Sequence, residues 1–79
     1  MMSPEEAILE CIEWEVGGED RASKARRTGT EPHIRSFYAL MAAEHMNRAS
    51  ALRQALDAVR RDRDLQRRRR AYRAKKEDA

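Results

Sequence analysis

The feature that most constrains the fold is a long stretch without glycine or proline. It follows Thr30-Glu31-Pro32 and continues to about Lys76. Thr30 is a predicted N-cap and Pro32 suits the first turn of a helix. The stretch therefore predicts one helix of roughly 45 residues, about 65–70 Å long at 1.5 Å per residue. Three i,i+4 pairs of opposite charge favour it: Glu31/Arg35, Glu44/Arg48 and Asp57/Arg61.

A shorter helix is predicted near the N-terminus. Ser3 is a suitable cap, Pro4 suits the first helical position, and Glu6 completes a capping box. Gly17-Gly18 predicts the end of this helix, because glycine tolerates the left-handed conformation that closes helices. We expect the helix to run from about Pro4 to Glu15 and residues 19–27 to form either a short helix or an ordered loop.

These elements predict an all-α fold, in which a short N-terminal helix, a connector and one long C-terminal helix form an extended hairpin. The 79 residues allow one domain. A chain of this size has only ~3–5 kcal/mol of stability from its core unless a disulfide, a metal or a partner adds to it. Cys11 is the single cysteine, so an internal disulfide is excluded. Self-association or docking onto a partner is the expected additional source of stability.

An apolar stripe along the long helix is the predicted surface for self-association. A helix that ends at Glu15 is only about 18 Å long and could cover the first part of the stripe but not its later members. Leaving aliphatic side chains in water is unfavourable by roughly 1.5–3 kcal/mol each. We therefore expect a second copy, or another protein, to cover the stripe. The predicted oligomer interface consists of Tyr38, Met41, His45, Leu52, Leu56 and Val59.

Charge is distributed unevenly along the chain. Residues 60–76 carry ten cations and two acids, whereas residues 1–59 carry seven cations and ten acids. We divide the chain into a helical hairpin and oligomerisation region, 1–59, and an arginine-rich helical arm, 60–79. The planar fork of arginine matches the geometry of phosphate, and a tyrosine can stack on a base. The predicted anion-binding residues are Arg60, Arg61, Arg63, Arg67, Arg68, Arg69, Arg70, Tyr72, Arg73, Lys75 and Lys76.

We expect the arm to bind an anionic partner and favour nucleic acid, with an acidic protein surface and a solvated tail as the other two interpretations. The acids of the first helix have two interpretations as well. They either imitate the charge of a nucleic acid or pair with the cations of residues 21–27 or of another copy. These acids are Glu5, Glu6, Glu10, Glu13 and Glu15.

A second functional hypothesis is an adaptor or inhibitor of a phage or mobile element that docks on a host protein complex. Its anchors would be four large apolar side chains: Trp14, Phe37, Leu40 and Met46. A virion or scaffold component, assembled by pairing of acids and bases, is a third hypothesis. His45 is expected to be buried and hydrogen-bonded, or to set the register of a dimer.

The sequence favours binding over catalysis. We find no set of nucleophile, base and orienting residue and no glycine-rich phosphate loop. His33, His45 and Cys11 have no neighbours at the spacing of a metal site. We expect no cofactor, no metal, no small-molecule substrate and no membrane segment, in a cytoplasmic protein.

Overall fold

The computed structural model describes residues 1–78 and consists of two α-helices folded into an antiparallel hairpin. Helix α1 spans Pro4–Thr28 and helix α2 spans Pro32–Asp78, with residues 29–31 between them. The molecule is a rod that measures 73 × 21 × 12 Å. The predicted all-α hairpin is confirmed. Within residues 1–78, neither helix has an apolar stretch of the length needed to cross a membrane.

The start of α1 is the one that the sequence predicts. The hydroxyl of Ser3 accepts a hydrogen bond from the backbone N–H of Glu6 at 3.1 Å, and Pro4 is the first helical residue. The same hydroxyl donates to the Glu6 carboxylate at 3.1 Å. Glu5 and Glu6 also place negative charge in the first turn, where the helix dipole favours it.

The predicted end of α1 at Gly17-Gly18 is wrong. The helix continues through both glycines to Thr28, and neither glycine has a positive φ. Gly18 lies against the imidazole of His45 in α2, and a Cβ at this position would come within 2.6 Å of the ring. The second glycine therefore allows a close approach of the two helices and does not end the first one. Residues 19–27, predicted as a separate short helix or loop, belong to α1.

The turn at the tip of the hairpin is short. Gly29 caps α1 with an extended backbone (φ −69°, ψ 135°) and donates its N–H to the carbonyl of Ala25 at 2.9 Å. The Thr28 hydroxyl donates to the carbonyl of Lys24 at 3.1 Å. Helix α2 begins at Pro32, so Glu31, not the predicted Thr30, is the residue before it.

The contact between the helices contains few apolar groups. The buried apolar side chains are Ala22, Ala49 and Leu56, and Gly18, Glu15 and His45 are buried among them. Small residues at these positions let the two helix backbones come close. The buried region is therefore a narrow line along the hairpin, with a polar centre.

The length of α1 overturns the argument for an uncovered stripe on α2. With 25 residues, α1 is roughly 37 Å long, about twice the expected length. Its N-terminal end lies beside the start of the basic arm, where Glu5 pairs with Arg60 at 3.4 Å. Helix α1 therefore covers the part of α2 that it was expected to leave open. Leu56 is buried, and Leu52 and Val59 are partly buried.

Candidate functional site

The basic arm is a single helix that continues past the hairpin. Glu5, in the first turn of α1, pairs with both Arg60 and Arg63 of α2. Beyond these contacts α2 continues without α1 beside it. From residue 64 to residue 78 every side chain is exposed. Arg60 and Arg63 are therefore paired within the protein, Arg61 donates to the backbone carbonyl of Asp57 at 3.4 Å, and the arm beyond them projects into solvent.

The projecting part of the arm carries seven cations against three acids, Asp64, Glu77 and Asp78. Its seven cations are Arg67, Arg68, Arg69, Arg70, Arg73, Lys75 and Lys76, and none forms an ion pair within residues 1–78. Asp62 accepts a hydrogen bond from the side chain of Gln66 at 3.1 Å. Like charges on successive turns repel one another, so the arm is an exposed surface with excess positive charge.

Tyr72 lies in the middle of this charged helix. Its side chain is 69% exposed and shares a shallow groove with Arg68, Arg69, Arg73 and Lys76. A phenol ring between guanidinium groups provides a flat apolar face next to hydrogen-bond donors. This combination can stack on a base and contact the adjacent phosphates.

A second group of polar residues lies between the helices at the middle of the hairpin. Nδ1 of His45 lies 2.6 Å from Oε2 of Glu15, and both side chains are about 10% exposed. Nε of Arg48 donates to the other carboxylate oxygen at 3.0 Å. The prediction that His45 is buried and hydrogen-bonded is confirmed. When Nδ1 of His45 carries the proton that it donates to Glu15, this nitrogen has no lone pair left to accept a hydrogen bond. Nη2 of Arg48, which lies 3.2 Å from Nδ1, is then in contact with it but is not hydrogen-bonded to it.

This polar cluster, Glu15, His45 and Arg48, is fully hydrogen-bonded on its carboxylate. The hydrogen bond from His45 lowers the pKa of Glu15, and the guanidinium of Arg48 lowers it further, against the opposing effect of burial. Arg48 also lies 3.7 Å from Glu44, as its i,i+4 spacing predicted. The cluster therefore fixes the register of the two helices with charge-assisted hydrogen bonds.

The sequence does not predict this cluster. It predicts Glu15 as the last residue of the first helix and Arg48 as the i,i+4 partner of Glu44. The one available signal was position, because Glu15 continues the helical spacing of Ile8 and Ile12 on the face that meets α2. Its partner is thirty residues away in the chain, and no local pattern encodes that pairing.

The predicted oligomer-interface residues face α1 in the hairpin. Tyr38, Met41 and His45 line a groove together with Trp14 and Ala22 of α1. Leu52 lines the next groove along the same side with Cys11 and Ala51. These side chains are therefore partly or fully covered by their own chain. Self-association through them stays a prediction, but it is no longer supported by the argument that α1 is too short to cover them.

The four predicted partner anchors are all exposed, by 57–68%: Trp14, Phe37, Leu40 and Met46. They do not form one patch. Trp14 packs edge-on against His45, with 5.9 Å between ring centroids, and Phe37 packs on Tyr38 at 5.4 Å. Met46 lines a different groove with Val16, and Val16 is about 200° around α1 from Trp14. The anchors thus lie on two sides of the hairpin.

The remaining candidate side chains, His33 and Cys11, lie at the surface. In the described part of the chain no three His, Cys, Asp or Glu side chains are placed to hold a metal ion. His33 pairs with Glu31 at 3.3 Å on the surface. Cys11 is exposed and unpaired with another thiol.

Comparison with known proteins adds no assignment. No family model matches the sequence, and no curated protein or solved structure is detectably similar to it.

Proposed function

We propose that this protein is a non-enzymatic binding module whose basic arm contacts the phosphate backbone of a nucleic acid. The observation that carries the proposal is the exposed helix beyond Arg63. It has seven cations between Arg67 and Lys76 without an acidic partner in residues 1–78. A polyanion would neutralise this charge, and each phosphate contact would release condensed counterions.

The charge surrounds the arm. Successive helical residues are about 100° apart, so the run from Arg67 to Arg70 covers most of the circumference. A helix that reads bases in a groove keeps its contacts on one side. We therefore expect binding that follows the backbone, has little sequence preference and weakens steeply with salt. Tyr72 would add stacking on an accessible base.

Substitution in the full chain tests the proposal. A variant with Arg68, Arg69 and Arg73 replaced by glutamine should bind a fluorescent 24-base-pair duplex at least about tenfold more weakly at 100 mM salt. The matched control replaces three cations of the hairpin, Arg21, Lys24 and Arg53, and changes net charge equally. Equal weakening by both variants would show that total charge matters and the arm does not. No binding of nucleic acid, with capture of an acidic protein instead, would support the alternative partner.

We further propose that two copies associate through one side of the hairpin. The chain exposes 6690 Å², whereas a compact protein of 9.2 kDa exposes about 4,900 Å². The surplus of roughly 1,800 Å² belongs partly to the arm. One partner contributes ~800 Å² to a standard interface, which is less than this surplus.

The side that carries Trp14 is the surface that a second copy would cover. Exposed Phe37 and the grooves beside Met41 and Leu52 lie on this side. Three buried apolar side chains, two of them alanine, are a small core for a chain of this length. Burying this side in a four-helix arrangement would supply the missing apolar contacts. The proposed interface is therefore the groove side of the hairpin, which includes Tyr38, Met41 and Leu52 of the predicted stripe but not the buried Leu56.

A further inference from the structure

We propose that the tip of the hairpin is a second phosphate-binding site, which contacts the same duplex as the arm; the proposal rests on the proposed function of the arm. The site, here called the tip cluster, is formed by Arg26 and Arg27 at the end of α1 and by Arg35 and Ser36 near the start of α2. Together with Pro32 and Ala39, these residues line one shallow cavity of about 530 Å³.

The three arginines of the tip cluster have no carboxylate partner in residues 1–78. The i,i+4 pair of Arg35 with Glu31, predicted from the sequence, is not formed, because Glu31 pairs with His33 at 3.3 Å. Three guanidinium groups thus line one cavity without an internal anion. Their mutual repulsion is relieved when a phosphate binds between them.

The position of Arg35 is unfavourable by itself. Arg26 and Arg27 lie in the last turn of α1, where the helix dipole favours cations. Arg35 is the fourth residue of α2, close to the end where the dipole favours anions, and the first turn of α2 contains no acid. Helix stability therefore accounts for two of the three arginines and leaves the third without a structural role.

The stem of Arg35 lies beside Gly29 in the turn. A Cβ at Gly29 would lie 3.2 Å from Cγ of Arg35 and 3.3 Å from the carbonyl oxygen of Ala25. The backbone of Gly29 has an ordinary negative φ, so its conformation alone does not require glycine. The absent side chain leaves room for Arg35 to lie across the tip, towards the end of α1.

Phosphate is the ligand that fits this site. Guanidinium groups from two helices donate paired hydrogen bonds to phosphate oxygens, and the hydroxyl of Ser36 is a further donor on the same cavity wall. The cavity is shallow and open at the surface, so a phosphate that belongs to a nucleic-acid backbone can reach it.

The geometry of α2 places Ser36 of the tip cluster and Tyr72 of the arm on one face, with Arg35 about 100° to one side. Ser36 and Tyr72 are 36 residues apart, which is ten turns of an ideal α-helix. The distance between them is about 54 Å, or about 16 base pairs at 3.4 Å each. The exposed face of α2 between them carries the uncharged Ala43, Asn47, Ser50 and Gln54, followed by Arg61 and Leu65, and Asp57 lies about 60° to one side of it. A straight duplex can therefore lie along α2 and reach both sites.

Duplex length provides the test. The variant Arg27→Gln/Arg35→Gln is compared with Arg21→Gln/Lys24→Gln, which changes net charge equally at two residues of α1 that do not line the tip cavity. Dissociation constants are measured for 8- and 24-base-pair duplexes across a series of salt concentrations. The 8-base-pair duplex is too short to reach both sites.

The tip variant should weaken binding of the long duplex about tenfold or more and lower its salt slope by about 2. Its affinity for the short duplex should stay within about twofold of the unmodified chain. Equal losses for both lengths, or losses equal to those of the control, would overturn the tip site while leaving the arm intact. A chain that binds neither duplex would overturn both proposals, and binding limited to single strands would overturn the bridging geometry.

Discussion

Oε2 of Glu15 lies 2.6 Å from Nδ1 of His45, between the two helices and largely shielded from solvent. The two residues belong to different helices, and Arg48 completes the contact from the next turn of α2. A buried charge is tolerated only when its hydrogen bonds are made, so this carboxylate permits one alignment of α1 on α2. The polar cluster is therefore the element of the hairpin that specifies register.

Replacement of Glu15 by glutamine should destabilise the hairpin. The amide keeps the shape of the side chain but carries no charge, so the charge-assisted hydrogen bond from Arg48 becomes a weaker neutral one, whichever tautomer His45 adopts towards the amide. Urea unfolding followed by circular dichroism should show a lower midpoint than for the unmodified chain. Glu13→Gln is the control, because Glu13 is exposed two residues earlier on the same helix. Equal midpoints for the two variants would contradict a structural role for the cluster.

The contribution of Glu15 should depend on pH. Its pKa is lowered from the ordinary value of 4.5, first by the hydrogen bond from His45. A carboxyl group with a lower pKa in the folded state stabilises the fold above its unfolded pKa, and this stabilisation is lost as pH falls through the folded pKa. The difference in unfolding midpoint between the unmodified chain and Glu15→Gln should thus be full at pH 7 and shrink below about pH 4.5. A constant difference down to pH 3 would argue against it.

The two adjacent glycines of α1 should respond to alanine in opposite directions. A Cβ at Gly17 meets only the flexible end of Arg21 at 3.3 Å, whereas one at Gly18 would lie 2.6 Å from the His45 ring. Gly17→Ala should therefore stabilise the protein by about 0.5–1 kcal/mol, through helix propensity. Gly18→Ala should destabilise it by about 1–3 kcal/mol, because His45 or the helix must shift. Thermal unfolding of the two variants checks this, and stabilisation by both would show that the close approach is unimportant.

These glycines also show what the sequence could and could not predict. Helix α2 was predicted in full because nothing in its local sequence interrupts a helix. The end of α1 was missed because Gly-Gly is a local stop signal, whereas the packing of Gly18 on His45 depends on a residue distant in the chain. Tertiary contact overrides propensity in such cases.

The candidate sites also divide into one that the sequence predicts and two that it does not. The arm is visible from the sequence because charge density needs no tertiary information. The tip cluster and the cluster at Glu15 are not visible, because each brings together side chains from both helices. The expected Glu31–Arg35 pair shows the limit of spacing rules, since Glu31 pairs with His33 in the structure.

Leu56 should be the most sensitive aliphatic position of α2. It is 6% exposed, whereas Leu65 on the arm is 46% exposed. Leu56→Ala should lower the free energy of unfolding by about 2–5 kcal/mol. Leu65→Ala should change it by less than about 0.5 kcal/mol, as is usual for exposed sites. Denaturant titration distinguishes the two, and a small effect at Leu56 would mean that α1 does not cover this part of α2.

Self-association should depend on the side of the hairpin that carries Trp14. Phe37→Gln removes an apolar side chain that is 57% exposed there, and Met46→Gln removes one that is 59% exposed in the other groove. Sedimentation equilibrium of the unmodified chain should give about twice the mass of 9.2 kDa. Phe37→Gln should weaken the dimer about tenfold or more, as expected for a buried aromatic contact.

The control, Met46→Gln, should leave the dimerisation constant within about twofold, because its groove stays open in the proposed arrangement. The comparison separates apolar contact on one side from general loss of hydrophobic surface. Since the interface is apolar, dimerisation should change little between 50 and 500 mM salt, whereas nucleic-acid binding by the arm should fall steeply over the same range. A stable monomer of the unmodified chain at millimolar concentration would overturn the proposed dimer.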